Sequence, residues 1–437
     1  MIELIPLWMF ILLFIFVFLG IPVALSLIVT SVIFGFFTFG DMLFNQLYGA
    51  ILHTASNFTL ASIPLFILMG AILEKTGLAL RLFQALQLWF GRLPGGLALS
   101  TIVMCAIFAA ASGVVGAVEI VVGMMALPAM AKYKYSKGLM AGTVCAGGSL
   151  GTIIPPSIVV VVYASMAQLS IGQLFAASLI PGLMMVAFFM IYIVGACYFK
   201  KDLGPAVILE QPVPLSEKLL ITSKAILPPL LLICSVLGSL LMGIASPTEA
   251  AAVGAAGAAL IALVFRELSW PSFYGALKTT IQITAMIMMI VVGGTMFTSI
   301  FAVSGGGWMI VDVISRLDIG IYQLTFILMA VIFLAGFVLD WISIVLIFVP
   351  IFTPLIKTAG IDPIWFAVMF MVVIQTSYLT PPMAPSIFYL KSIAPADMTY
   401  RDMYKGVVPF VILQLLVLLV VVIFPAVATY LPSLIAN

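Results

Sequence analysis

The chain has 437 residues, of which 65% are hydrophobic and only 7% are charged, with a formal net charge of +2. A soluble domain would carry roughly 25% charged residues, and no basic patch suggests a nucleic-acid partner. Long apolar stretches recur along almost the whole length, which predicts an all-α polytopic protein in contact with a lipid bilayer.

The first predicted helix is expected to be retained, because the N-terminal segment has Glu3 and neither a basic start nor a small-residue cleavage site. About ten membrane-crossing helices are predicted, near residues 5–20, 22–39, 58–74, 138–165, 174–199, 224–243, 246–265, 275–303, 363–391 and 406–431. Two further apolar stretches, at about 97–130 and 324–356, carry glycines near the middle and end in proline. We expect these two, the first and second hairpins, to be re-entrant.

Two of the crossing segments contain a Pro-Pro pair, in GGSLGTIIPPSI at 147–158 and in TSYLTPPMAPSI at 376–387. Proline lacks a backbone donor and clashes with the preceding turn, so each segment should break near mid-membrane. We call these interruptions the first break and the second break. Such paired breaks are typical of the substrate and ion site of a transporter.

The halves of the chain repeat one another. Gly113 matches Gly336, and Pro155 matches Pro381 at a distance of 226 positions. Residues 1–199 and 224–437 are therefore predicted to be two repeats, joined by a polar cytoplasmic linker at 200–223.

Charge predicts the orientation. If residues 132–137 are cytoplasmic, fifteen Lys and Arg residues lie on the cytoplasmic side and only Arg316 and Lys357 lie outside. Both termini are then periplasmic, and the hairpins open to opposite sides, so the repeats are inverted. Two amphipathic stretches, 75–91 and 308–322, could be interfacial arms that support a moving domain or ordinary surface linkers.

Eight stretches carry a family resemblance: LGIPVALSL (19–27), SIPLFILMGAIL (62–73), SGVVGAVEIVVGMMALPAM (112–130), AGGSLGTIIPPSI (146–158), GIASPTEAAAVGA (243–255), FVLDWISIVLIFVPIFTPLI (337–356), GIDPIWFAV (360–368) and YLTPPMAPSIF (378–388). In this order they resemble the large membrane subunit, the DctM type, of tripartite ATP-independent periplasmic (TRAP) transporters. They span nearly the whole chain.

The resemblance implies an elevator-type secondary carrier in a bacterial inner membrane, with scaffold and transport domains. It also implies sodium coupling, a small four-helix membrane subunit, and a periplasmic binding protein that delivers a small organic anion. PMAPS (382–386) and the tip SGVVGA depart from the commoner PVGLN and SGS patterns. Both resemble a branch described for mannitol, chloroaromatic acids or 2-oxo acids.

Sodium needs several hard oxygen ligands in a preformed cage, which broken helices and hairpin tips can supply. The predicted first sodium site combines the first hairpin tip with the first break, through Ser112, Gly113, Gly147, Gly148, Ser149 and Thr152. The predicted second site combines the second hairpin with the second break, through Gly336, Asp340, Thr376, Ser377 and Thr380. Each glycine or serine could instead serve close helix packing.

Asp340 is the sharpest single candidate, because an ionisable group in an apolar hairpin is costly. It could also cap the second arm of that hairpin, since aspartate is a good N-cap residue. Glu119 in the first hairpin is its rough counterpart, and it could bind a proton or cation or pair with a basic group.

No Lys or Arg is expected at mid-membrane, so an anionic substrate must meet hydroxyls and the N-termini of half-helices. The predicted substrate residues flank the breaks: Thr152, Pro155, Ser157, Thr380, Pro381 and Ser386.

Two transport hypotheses remain open at this point, a carrier that depends on a binding protein and a self-sufficient sodium- or proton-coupled symporter of similar architecture. A third hypothesis, a non-transport scaffold or an intramembrane enzyme, is disfavoured, since the sequence has no HExxH, no suitable GxSxG and no paired catalytic carboxylates. No P-loop is present either, which argues against direct use of ATP by this chain.

Overall fold

The computed structural model describes residues 5–113, 115–207, 214–309, 312, 320–382 and 384–435, without the side chains of Ser112, Val115 and Ala117. The predicted arm at 308–322 therefore lies largely outside the described residues. The helices of the first repeat are α1 (Ile5–Phe18), α2 (Val23–Phe39), α3 (Leu43–Ala55), α4 (Ser62–Lys75), α5 (Leu78–Phe90), α6 (Gly96–Ser112), α7 (Val115–Lys132), α8 (Lys137–Ser149), α9 (Ile158–Ala167) and α10 (Ile171–Phe199). Those of the second are α11 (Leu215–Leu241), α12 (Pro247–Val264), α13 (Trp270–Val303), α14 (Ile321–Ala335), α15 (Trp341–Thr358), α16 (Pro363–Leu379), α17 (Pro385–Ile393), α18 (Tyr400–Ile423) and α19 (Ala426–Ile435).

Several of these helices can cross a bilayer unaided. Among the described residues, seven helical stretches are long and apolar enough, or eight if the pair α4 and α5, bent by 65°, forms one span. One of the seven is α15, an arm of the predicted second hairpin. The predicted crossings outside this set are short α1 and the two broken segments, whose halves are too short to qualify separately. The all-helical membrane fold is confirmed.

The main differences from the predicted elements occur where polar or proline residues interrupt an apolar run. Helix α3 was not predicted, although its sequence is amphipathic. Helix α11 begins at Leu215, inside the predicted linker, directly after Pro214. The predicted helix 406–431 is wrong, because the chain leaves the helical conformation at Phe424, before Pro425, and two separate helices form.

Both hairpins and both breaks are present. The first hairpin pairs α6 with α7 and turns at Gly113, whose φ of +65° favours glycine. The second hairpin pairs α14 with α15, and Asp340 caps α15. The first break separates α8 from α9, and the second separates α16 from α17.

The two repeats interlock through their hairpins. Helix α7 of the first hairpin packs on α17, which follows the second break, while α15 of the second hairpin packs on α9, which follows the first break. The half-helices α8 and α16 also contact each other. Each hairpin is therefore held by the broken segment of the opposite repeat.

The loops that carry most basic residues meet at one end of the molecule, here called the basic end. Gly95 N donates to Gly204 O at 2.8 Å, and Ser136 N donates to Leu203 O at 2.9 Å. Lys137 Nζ lies 2.8 Å from Asp397 Oδ2, and this contact lowers the pKa of that exposed carboxyl. At the opposite end, Thr248 Oγ1 donates to Phe58 O at 3.0 Å. The charge asymmetry expected from the sequence thus corresponds to a physical clustering of loops.

Candidate functional site

A cavity of about 620 Å³ lies between the hairpin tips and one wall of α13. The hairpin tips contribute Gly113, Gly116, Gly336 and Asp340, and the second broken segment contributes Ser377, Tyr378, Pro385 and Tyr389. The α13 wall contributes Thr279, Ile283, Met286, Ile287 and Ile290. Both hairpins and the second break therefore converge on one space.

The second break lies against the tip of the second hairpin. A Cβ atom on Gly336 would come within 2.5 Å of Ser377 Cβ, so only glycine permits this approach. The nearby hydroxyls are bonded within α16: Ser377 Oγ donates to Ile374 O at 2.8 Å, and Thr380 Oγ1 donates to Thr376 O at 2.7 Å. Their acceptor lone pairs remain directed away from the helix backbone.

Asp340 has two structural roles. Its Oδ2 accepts from Ile342 N at 3.1 Å and Ser343 N at 3.4 Å, and its Oδ1 accepts from the Ser343 hydroxyl. The residue is also exposed and lines the cavity. The capping interpretation is thus correct, and the same carboxylate presents negative charge to the cavity.

The described carboxyl groups in the cavity wall belong to two acidic residues. Glu74, at the end of α4, lines it together with Asp340. Among the described lining residues there is no Lys, Arg or His, and the rest are mostly apolar. Oxygen ligands for a cation are present here, but fixed positive charges for an anion are not.

The first break, in contrast, lies inside the protein. Every residue from 147 to 158 is buried, and of these only Ile158, at the end of the break, lines the cavity. A Cβ atom on Gly113 would lie 3.3 Å from Pro156 O, so the first hairpin tip touches the end of this break. Gly147 packs against Cys105 instead, about two helical turns before that tip.

The hydroxyls of the first break are engaged by two glutamines. Ser149 Oγ accepts from Gln375 Nε2 at 3.1 Å and from Gln414 Nε2 at 3.2 Å, while it donates to Ala146 O at 2.8 Å. The Thr152 hydroxyl lies 2.9 Å from Ser149 O and 3.0 Å from Gln375 Oε1, so its one proton is shared between these acceptors. Both glutamines are completely buried.

The Ser157 side chain bonds to the backbone of the first break itself. Its hydroxyl lies 3.0 Å from Gly151 O and 2.8 Å from Thr152 O. Its one proton is shared between these two carbonyls, which the break frees from helical hydrogen bonding.

Glu119 links the first hairpin to the second broken segment. The Ser386 hydroxyl donates to Glu119 Oε1 at 2.7 Å, and both residues are fully buried. The Tyr378 hydroxyl also interacts with the Glu119 carboxyl group, although among the described residues no donor lies in regular hydrogen-bond geometry to Glu119 Oε2. The side chain also fills the space beside Gly148, where a Cβ atom would lie 2.9 Å from Glu119 Cδ.

Most of the predicted site residues therefore fall into two groups. Gly113, Gly336, Asp340 and Ser377 meet around the cavity. Those that lie buried away from it are Gly147, Gly148, Ser149, Thr152, Pro155, Ser157, Glu119, Thr376 and Ser386. Thr380 is half-buried and Pro381 is exposed at the second break. The side chain of Ser112 lies outside the described residues.

Sequence reasoning missed Glu74, Tyr378 and Tyr389 in the cavity wall, and Gln375 and Gln414 beside the first break. The two glutamines did carry a signal, since each is an isolated amide in an apolar helix. A buried polar group in a membrane needs a partner, but the sequence did not identify that partner.

The fold and this site define a helical membrane transport protein. The sequence pattern of the tripartite ATP-independent periplasmic transporter family, DctM component, matches residues 10–427, and the chain belongs to this family. It is a permease component of a transporter and not an enzyme.

Two relatives illustrate the family. The chain is 33% identical to the C4-dicarboxylate TRAP transporter large permease protein DctM of Pseudomonas aeruginosa, with 87% of this chain and 88% of that protein covered. It is 31% identical to the ectoine TRAP transporter large permease protein TeaC of Halomonas elongata, with 95% and 96% covered.

A solved structure shares the fold. The YdaH transporter of Alcanivorax borkumensis superposes with a TM-score of 0.69, at 13% identity, over 97% of this chain and 98% of that one. This similarity concerns the fold alone.

Proposed function

We propose that this chain catalyses sodium-driven uptake of a small organic anion across a bacterial inner membrane by an elevator movement. Membership of a tripartite family supports cooperation with two further components, which we assign as a small four-helix membrane subunit and a periplasmic binding protein. The named substrates of the relatives, a C4-dicarboxylate and ectoine, support a small carboxylate-bearing compound.

The observation that carries the sodium proposal is the position of Asp340. Its carboxylate lines the cavity at the hairpin tip, close to the second break, where Gly336 touches Ser377. A carboxylate, hydroxyls and the free carbonyls of a helix end are the ligands that a hard cation prefers. We therefore place a sodium site between the second hairpin and the second break.

Substrate binding would depend on the charges around this proposed sodium site. A bound sodium ion would offset Asp340, and the N-terminus of α17, whose Pro385 lines the cavity, would contribute a partial positive charge. Of the predicted substrate residues, Thr380 and Pro381 belong to the accessible second break and fit this arrangement best. Without the cation, two carboxylates would face the anion.

The proposed orientation places the basic end in the cytoplasm and both termini in the periplasm. The cavity extends to Glu74 and Thr279, next to Lys75 and Lys278, so it reaches towards the basic end. In this orientation the structure corresponds to an inward-facing state. Release of substrate and sodium to the cytoplasm would take place from it.

The test is thermal denaturation of the purified full-length chain in sodium and in potassium at equal ionic strength. Binding to the folded state adds stability by mass action, about 2.7 kcal/mol at a hundredfold excess over the dissociation constant. Asp340→Asn keeps an N-cap oxygen but removes the charge. We expect it to retain the melting temperature in potassium and to lose the sodium-selective rise.

Asp362→Ala is the matched control, because Asp362 caps α16 through Ile364 N and Trp365 N, each at 2.8 Å, but is not a cavity residue. It should lower stability equally in both salts. A sodium-selective rise that persists in Asp340→Asn would remove Asp340 from the ion site.

A further inference from the structure

The contact between Ser149 and Gln375 joins equivalent positions of the two repeats. These residues are 226 positions apart, the same separation as Pro155 and Pro381. When symmetry-related residues touch, the axis that relates them passes between them. If the two predicted repeats are related by a pseudo-two-fold axis, that axis passes close to this hydrogen bond.

The Ser149 hydroxyl uses all of its hydrogen-bonding positions at this contact. A hydroxyl has one donor and two acceptor lone pairs. Ser149 Oγ gives its proton to Ala146 O and accepts from both Gln375 and Gln414. Since its proton is engaged, it can only accept from Gln375, and this fixes which end of the Gln375 amide faces it.

The remaining end of Gln375 is also bonded. Its Oε1 faces the Thr152 hydroxyl at 3.0 Å, so one side chain spans the start of the first break and its 3-10 turn. Ser149, Gln375 and Gln414 are completely buried, and Thr152 nearly so. Three elements, α8, α16 and α18, are thereby joined without access to water.

We propose that Gln375 and Gln414 are positioning residues that hold the two breaks together as one rigid unit during the transport cycle. We call this contact of Gln375 and Gln414 with Ser149 the pin. Gln375 lies directly before Thr376 and Ser377, the last turn of α16, which faces the second hairpin. The pin fixes this turn relative to Asp340 and so shapes the sodium site. This inference rests on the proposed sodium-coupled function.

In this proposal Ser149 is not a sodium ligand. A further bond to a cation would require Ser149 to release Gln375 or Gln414, which would leave a buried amide without a partner. The Ser149 hydroxyl is therefore assigned a structural role, as the acceptor of two glutamine amides.

The equivalence of the two positions permits an exchange experiment. Ser149→Gln and Gln375→Ser are made singly and together, and each protein is melted in sodium and in potassium. The double variant conserves total side-chain volume and restores a serine–glutamine pair across the axis. We expect each single variant to melt at a lower temperature and to require at least about tenfold more sodium for half of the stabilisation, as is typical for residues that orient ion ligands.

The double variant should recover both quantities towards the wild-type values. A purely structural role would lower the melting temperature while leaving the half-saturating sodium concentration unchanged, and that result would overturn the positioning role. A double variant no better than the sum of the singles would overturn the pin itself. Gln84→Ser, at an exposed position of α5, is the matched control and should change neither quantity.

This experiment distinguishes a failure of the sodium-site proposal from a failure of the pin proposal. If the wild-type protein shows no sodium-selective rise, the sodium site and its positioning are refuted. The recovery of the melting temperature in potassium still decides whether the two breaks are pinned.

Discussion

The first and second breaks share a Pro-Pro signal but occupy different environments. The first is buried along its entire length, and its hydroxyls and free carbonyls are bonded inside the protein. At the second break Pro381 and Pro382 are exposed, and Ser377 lines the cavity. Two matching sequence signals thus produce one sealed interruption and one accessible interruption.

Chain length contributes to this difference. The first break reads PPSI and the second reads PPMAPSI, which is three residues longer. The longer connection includes Ala384 with a φ of +42°, a backbone conformation uncommon outside glycine. The extra residues let the second proline pair reach the surface before α17 begins.

The neighbouring side chains contribute as well. Helices α16 and α18 send Gln375 and Gln414 to the first break, whereas the second break faces Gly336 and Asp340 of a hairpin tip. A Pro-Pro pair therefore predicts where backbone groups are freed. The elements packed on it decide whether those groups are satisfied internally or remain available for ligands.

The largest expected difference between the breaks is chemical accessibility. In a Cys234→Ser background, which removes the exposed native cysteine, Thr380→Cys should react readily with a polar maleimide. Ile154→Cys in the first break should stay unmodified, because thiol reactivity requires exposure. Mass spectrometry of the purified protein measures the modification.

The parent Cys234→Ser protein is the control and should remain unlabelled, since Cys105, Cys145 and Cys197 are buried. Equal modification at residues 154 and 380 would contradict the contrast between a sealed break and an accessible one.

A smaller effect is expected from overpacking the second break. Gly336→Ala places a methyl group against Ser377, which should destabilise the protein by about 1–3 kcal/mol and weaken sodium stabilisation. Adding Ser377→Gly makes room and should restore the melting temperature in potassium. It should not restore the sodium effect, because the hydroxyl is gone.

Gly238→Ala is the control, since no atom lies within 4 Å of a Cβ atom there and the residue is helical. Alanine is favoured over glycine in a helix by roughly 0.5–1 kcal/mol, so stability should hold or rise. A Gly336→Ala protein as stable as this control would show that the hairpin tip is not held against the second break.

The hairpins and breaks could be predicted because glycine and proline act on the local backbone, where their effect is almost independent of the surroundings. Gly113 turns the first hairpin, and Asp340 caps the second as aspartate commonly does. Helix α3 was missed although LFNQLYGAILHTA has helical amphipathic spacing, because its polar residues resemble a loop.

The partners of buried polar groups could not be predicted in this way. Ser149 and Gln375 are adjacent only through the packing of α16 on α8, and Ser386 reaches Glu119 only through the packing of α17 on α7. Several of the hydroxyls predicted as ion ligands already have protein partners, which the sequence does not reveal. Such pairings depend on tertiary structure, which residue type and spacing do not encode locally.

The smallest expected effect on stability comes from removing one hydroxyl from each break. Thr152→Val removes the proton that the buried Gln375 Oε1 shares with Ser149 O. Because an unsatisfied buried acceptor costs about 1–3 kcal/mol, we expect a loss in this range. Thr380→Val removes a half-exposed hydroxyl that bonds only within its own helix, so the loss should stay below about 1 kcal/mol. Melting temperatures in potassium separate these effects from any ion binding. If Thr380→Val were the more destabilising of the two, the internal hydrogen bonds of the first break would not be what keeps it closed.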